Sequence, residues 1–300
     1  MRKKQTTAIK KESDILLHII FIIITLCCIL PFLLIVIISL TEESEIIQNG
    51  YSFFPKKISF EAYRYLLMTS DTIATGYKNS FIVIIIGTII KLFAAGMYGY
   101  AISRKDFPFR KTFGTVVLIT ILFSGGLTPY YYMIVKILKL KNTLWALILP
   151  GVTIGFDAFM LKSFYVTNVP YEIIESAKMD GVGECRTFFQ IVAPMCVPMF
   201  ATIALRSAIA YWNQFQPSLL YIDKSSLYTI QYSMQRALNN LNALKALAES
   251  GANVDVDMSN MPGEGMRMAM AVFAVGPIIL AYPFFQRFFI KGLSVGAVKG

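Results

Sequence analysis

Long uncharged apolar runs alternate along the chain with short polar segments that carry lysine and arginine. A helix needs about 20 mainly apolar residues to cross the hydrocarbon of a bilayer. Residues 15–40 form such a run, longer than the apolar part of a signal peptide and without a small-residue cleavage site. They are therefore expected to be a retained first helix rather than a removed targeting segment. Five more runs, 79–103, 113–135, 144–165, 196–215 and 266–285, complete an expected all-α, polytopic membrane protein with six transmembrane helices. Small residues in the second run (Ala95, Gly96, Gly99, Ala101) suit close helix approach, which membrane packing requires in the absence of a hydrophobic force between helices. Gly125, Gly126 and Pro129 interrupt the third run, and broken backbone at membrane depth is tolerated against protein or a water-filled cavity.

Composition agrees with this reading. The chain is 56% hydrophobic with a mean hydropathy of +0.59, where an ordinary soluble domain has about 45–50% apolar residues. A net charge of +10 could point to nucleic acid. However, the basic residues punctuate apolar runs instead of clustering on a soluble face, so no nucleic-acid partner is expected. Lysine and arginine at helix ends mark the cytoplasmic side. Arg2, Lys3, Lys4, Lys10, Lys11, Arg104, Lys105, Arg110, Lys111 and Lys291 place both termini there, with 166–195 inside and 216–265 outside. The expected location is the bacterial inner membrane. Cys27, Cys28 and Cys196 lie in apolar runs without CxxC spacing, and His18 is a lone imidazole, so neither a disulfide framework nor a metal site is expected.

The segment between the fourth and fifth runs reads VPYEIIESAKMDGVGECRTFFQIVAPMCVP. Pro170 suits a first helical position, Glu172 favours the positive end of a helix dipole, and Gly181 suits a left-handed helix terminus. A short helix is expected over 171–180, then an amphipathic stretch over 182–192 stopped by Pro194. Helix signals alone leave a simple amphipathic linker as an equal alternative. The spacing goes further: Glu175, Ser176, Ala177, Gly181, Ile191, Ala193 and Pro194 fall in register with Glu-Ala-Ala, Gly, Ile and Leu-Pro. This resembles the EAA motif of ABC importer permeases, with Ser176 and Ala193 departing from it.

The resemblance covers nearly the whole chain and is to carbohydrate-importer permeases similar to the second maltose-transporter permease, closest to a branch associated with complex oligosaccharides. Stretches that carry it include Asn79-Ser80, Ser103-Arg104-Lys105, Phe123 to Leu127, Asn142 to Leu147, Tyr211-Trp212-Asn213 and Tyr282 to Gln286. It implies a type I importer permease fold and a coupling helix (Glu175, Ser176, Ala177, Asp180, Gly181) docked in a separate ATPase subunit. It also implies a tail, Lys299 and Gly300, reaching between two ATPase subunits. The implied partners are a second homologous permease, two ATPase subunits that bind ATP and Mg, an extracytoplasmic solute-binding protein facing 216–265, and a carbohydrate. Asp157 stands where the branch usually has Asn, and Thr229-Ile230 where it often has Pro-Leu, so the particular sugar does not carry over.

Asp157, Arg206 and Lys91 lie inside runs, where a charge costs about 2.5–3.5 kcal/mol on insertion scales and normally faces a partner or a wet cavity. An internal pair is expected, Asp157 with Arg206 or with Lys91. A structural brace and direct substrate contact are both open readings. Tyr130, Tyr131, Tyr211, Trp212 and Asn213 supply the flat faces and amides that sugars use, with Asp157 a further pathway candidate. Tyrosine and tryptophan also gather at membrane interfaces for their amphipathic character, which is the alternative. Asp255, Asp257 and Ser259 alternate like calcium ligands but lack the turn glycine and bidentate glutamate, so a solvated loop is expected. The chain has no GxxxxGK[ST] phosphate loop and is not expected to be an enzyme. The rival transport readings are an importer of the same type for a non-sugar solute, or a secondary transporter, which should show inverted halves with paired broken helices. A membrane-embedded enzyme would need a metal cluster or nucleophile elbow.

Overall fold

In the computed structural model, which describes residues 11–68, 70–249 and 263–297, the apolar runs become helices. α1 covers Lys11–Ser39 and carries Pro31 inside it. Its large apolar side chains from Ile15 to Leu30 are exposed, as on a helix bathed in lipid, because hydrocarbon solvates Leu and Ile as well as a protein interior does. α2 (Glu43–Asn49) and α3 (Glu61–Met68) follow. The described residues divide into two compact units, one drawn from 1–69 and 241–275, the other from 70–240 and 276–300.

Carboxylates that collect orphan backbone donors hold the first unit together. Glu43 accepts hydrogen bonds from the backbone N–H groups of Glu264 (2.8 Å) and Gly265 (3.0 Å). These lie at the start of the last helix, whose first four N–H groups have no intrahelical acceptor. Glu45, almost fully buried, accepts from the N–H groups of Lys56 and Lys57, each at 2.6 Å.

The second unit is built around α4, Ser70–Ser103. α5 (Arg110–Leu122) is followed by extended backbone at Phe123, after which Gly126 adopts φ +83° to turn the chain into α6, Leu127–Tyr132. The run over 113–135, expected to be interrupted at Gly125, Gly126 and Pro129, is thus two helices bent by 111°, with Gly126 where a Cβ would be strained. α6 runs on into a π-helical turn, Met133–Ile137. The expected span over 144–165 is likewise split into α7 (Trp145–Ile148) with a 3₁₀ turn, and α8 (Gly155–Asn168), at 50°. α9 (Tyr171–Met179), α10 (Glu184–Thr187), a π-helical turn over Phe188–Val192 and α11 (Ala193–Met195) lead to α12, Val197–Asn213. Pro194 does not stop the chain as expected. It occupies the start of α11, where its missing N–H costs nothing, and the 84° break falls at Cys196. α13 (Gln216–Tyr221), α14 (Ile230–Glu249) and α15 (Glu264–Ala297, with Pro277 and Pro283) complete the order.

Two described helices are long and apolar enough to cross a membrane unaided, and five spans result if each bent pair is one. The expected runs over 113–135, 144–165 and 196–215 belong to the bent pairs, and the run over 266–285 lies within the last helix, Glu264–Ala297. α4 packs between α8 and α12 through its small residues. A Cβ on Gly99 would lie 2.8 Å from the Ala158 carbonyl oxygen, and one on Gly87 would lie 2.4 Å from the Tyr211 ring. The core beneath comprises Ala95, Tyr100, Leu161, Tyr165, Phe188, Val192 and Ile203, all buried.

Candidate functional site

α9 starts after Pro170 in extended geometry and ends in a Schellman turn. Gly181, at φ +74°, donates its N–H to the Lys178 carbonyl (3.1 Å), and Val182 donates to the Ala177 carbonyl (3.0 Å). Both bonds cap helix carbonyls that would otherwise be orphaned, and only glycine enters this backbone region without penalty. Nothing lies within 4 Å of a Cβ on Gly181, so the glycine serves the turn and not a close contact within the chain. The helix has two faces. Ile174 and Ala177 are buried against the core, whereas Glu175, Ser176, Asp180 and Gly181 are exposed, and Met179 at the tip is 88% exposed. Ala177 thus seats the helix on its own unit. Of the expected coupling residues, Glu175, Ser176, Asp180 and Gly181 lie together at one exposed corner, joined by Met179, which spacing alone did not single out.

This corner is tied to the end of α4 by an ionic cluster. Arg104, buried just past the last residue of α4, donates from Nε (2.9 Å) and Nη2 (2.7 Å) to the two oxygens of Asp106. It also donates to Glu184 Oε1 at 3.1 Å and to the Tyr100 hydroxyl at 3.2 Å. Tyr100 donates to Glu184 Oε2 at 2.8 Å, and Lys178 donates from α9 to Asp106 Oδ2 at 3.1 Å. Arg104 first, with Lys178 assisting, holds the Asp106 carboxyl well below the usual carboxylate range against the opposing cost of burial. Lys105 caps the arrangement with its ammonium 5.0 Å from the Tyr171 ring centre. Ser103-Arg104-Lys105 stood out in the sequence, but Glu184, which meets Arg104, lies 80 residues away, and Lys178, which meets Asp106, lies 72 away. The run of charges Arg104-Lys105-Asp106 directly after a span was the only local signal.

Asp157 meets both cations expected for it. Its side chain is fully buried, Lys91 Nζ lies 3.2 Å from Oδ2, and Arg206 donates from Nη2 to Oδ1. The aromatic candidates separate. Tyr211 is buried and donates to the Ile148 carbonyl at 2.9 Å. Trp212, also buried, packs 6.0 Å from both Tyr77 and Phe81. Tyr131 stacks on Tyr221 at 5.8 Å. Tyr130 and Asn213, by contrast, line one cleft of about 380 Å³ together with Gln214, Gln216 and Tyr221. Lys299, Gly300, Asp255, Asp257 and Ser259 lie outside the described residues.

The sequence profile of the family described as "Binding-protein-dependent transport system inner membrane component" matches residues 115–295, which take in the α9 corner, Asp157 and Arg206. The chain belongs to that family. Among similar proteins, the polygalacturonan/rhamnogalacturonan transport system permease protein YtcP of Bacillus subtilis is 35% identical, over 87% of this chain and 89% of that protein. Protein LplC of the same organism is 36% identical, over 87% and 86%. The arabinooligosaccharides transport system permease protein AraQ of Halalkalibacterium halodurans is 28% identical, over 88% of each. A solved bacterial ABC transporter, described as involved in the import of the acidic polysaccharide alginate, has a chain that superposes with a TM-score of 0.76 at 22% identity. The match covers 96% of this chain and 99% of that one, and establishes the type I importer permease fold for this inner-membrane component.

Proposed function

We propose that this chain forms one half of the membrane conduit of an ATP-driven importer of oligosaccharides, and that its α9 corner is the point at which a separate ATPase subunit moves it. The observation that carries the reading is the two-faced α9: Ile174 and Ala177 fasten it to the core, Lys178 reaches the Arg104 cluster, and Glu175, Ser176, Met179 and Asp180 stand free. A transmitter needs both properties, a rigid seat and a presented tip. A push on that tip passes through Asp106 and Arg104 to α4, and through Phe188 and Val192 to the core shared with α8 and α12. Relatives named for polygalacturonan, arabinooligosaccharide and maltodextrin transport support a carbohydrate cargo. In this reading both termini and α9 face the cytoplasm. ATP and Mg are bound by two partner ATPase subunits, a second permease completes the conduit, and 216–265 faces a solute-binding protein.

The test is co-purification and accessibility. With the four native cysteines replaced, Met179→Cys is expected to react with a membrane-impermeant maleimide in inside-out vesicles only, and to be shielded when the ATPase subunits are bound. Met179→Glu is expected to release the ATPase while leaving the chain in the membrane. Reaction of residue 179 from the outer side, or undiminished ATPase binding by Met179→Glu, would refute the assignment.

A further inference from the structure

The ionic cluster at Asp157, where α4, α8 and α12 meet, does not balance. Asp157 contributes one negative charge and Lys91 and Arg206 two positive ones, and among the described residues Asp157 is the carboxylate paired with either. Lys91 is 7% exposed and suffices to neutralise Asp157, which is 0% exposed. Arg206 differs: its side chain is 48% exposed. The guanidinium, permanently charged, rests 5.2 Å from the Phe156 ring centre and donates one Nη2 hydrogen bond to Asp157. Its other N–H groups have no protein acceptor among the described residues. A fork of donors in that condition is costly against hydrocarbon, so this face of α12 is turned to water, to a ligand or to a polar surface of the second permease.

The rest of the face indicates what kind of ligand. Arg206, Ala210 and Asn213 are exposed at i, i+4 and i+7, which places them on one stripe of the helix about 10 Å long at 1.5 Å per residue. Ala210 leaves room between the two polar ends. Asn213 lines the cleft that also presents Tyr130, Gln214 and Gln216, an aromatic face and amides suited to a sugar ring and its hydroxyls. The Arg206 fork matches a carboxylate, to which a guanidinium can donate two parallel hydrogen bonds.

We propose that Arg206 is a specificity-determining, carboxylate-binding residue of the conduit, and that it selects acidic oligosaccharides whose uronate group docks on it while a neighbouring ring occupies the Asn213–Tyr130 cleft. Asp157 positions the guanidinium by holding one edge, and Lys91 keeps Asp157 compensated when Arg206 turns toward substrate. This rests on the carbohydrate reading above and narrows it to uronates.

The experiment uses the assembled complex of both permeases and the ATPase, without the solute-binding protein. Calorimetric binding is measured with trigalacturonate, its methyl ester and the neutral galactose trimer. The wild type is expected to bind the free acid about tenfold or more tightly than the ester, the difference a charged hydrogen bond supplies. Arg206→Gln is expected to erase that difference and leave the ester unchanged, and Arg206→Lys to restore part of it. Where Arg206→Gln does not assemble, the lysine variant alone decides, because it keeps the charge and loses the fork. Equal affinity for acid and ester in the wild type, or equal losses for both in the variants, would overturn the proposal and leave Arg206 a brace. Loss of the second permease from both variants would overturn it in favour of a partner carboxylate on Arg206. If the wild type binds none of the three sugars, the carbohydrate reading itself fails.

Discussion

Replacing Arg104 by methionine tests whether the ionic cluster, rather than apolar packing alone, fixes α9 to the end of α4. Methionine fills the space of the aliphatic stem, so the loss is mainly polar. Arg104 makes two hydrogen bonds to Asp106, one to Glu184 and one to Tyr100. Bonds to charged groups contribute about 1.5–3 kcal/mol each when buried. Here the Asp106 side chain is 31% exposed and that of Glu184 59%, so water recovers much of what the variant loses. The Glu184 contact is discounted to about 0.5 kcal/mol, as for an exposed pair. Tyr100 keeps its bond to Glu184. The bidentate Asp106 pair is left as the principal contribution, at about 2 kcal/mol, and the full cost of Arg104→Met at about 2–3 kcal/mol. A double-mutant cycle of Arg104→Met with Asp106→Asn, read from unfolding titrations in mixed micelles, is expected to give a coupling energy of about 1.5–2 kcal/mol. Amide exchange across 171–187 should accelerate in both single variants. A coupling energy below about 0.5 kcal/mol, or unchanged exchange in that segment, would show that Ile174 and Ala177 seat the helix without help.

Because the Asp106 carboxyl titrates below its unfolded value of about 3.9, its contribution is complete above that value and is lost as pH falls through the folded one. The Arg104–Asp106 coupling energy should therefore be flat from pH 8 to about 5 and decline below about 4, and a decline between pH 8 and 6 would contradict the assignment. Gly181→Ala forces an L-residue into φ +74° with open space around its Cβ, so only backbone strain of about 1–2 kcal/mol is expected. Gly181→Asn should be milder, and helicity of a 170–183 peptide would show the same order. Gly99→Ala places a methyl group 2.8 Å from the Ala158 carbonyl oxygen, and the α4–α8 pair should lose about 1–3 kcal/mol, read as a lowered Tm of the purified protein; an unchanged Tm would mean that the two helices separate at no cost.

Much of this chain's character is legible residue by residue. Apolar runs at bilayer length fixed the helical membrane character, since an unsatisfied backbone in hydrocarbon leaves few alternatives. The Pro170, Gly181 and Glu-x-Ala spacing located α9 to within a residue, because helix caps are local chemistry. Charges inside spans announced that Asp157 would have cationic company. The features that could not be read this way are long-range. Whether 113–135 runs straight or bends by 111° depends on what surrounds Gly126, and a glycine permits a turn without requiring one. That Tyr211 and Trp212 are core residues while Tyr130 and Asn213 border a cleft follows from which helix faces meet, information absent from composition. Arg104 finds Glu184 across 80 positions because α4 and the segment after α9 are brought together by packing of small residues and apolar rings. A charge pattern read along the chain has no access to a partner that the chain must fold to reach.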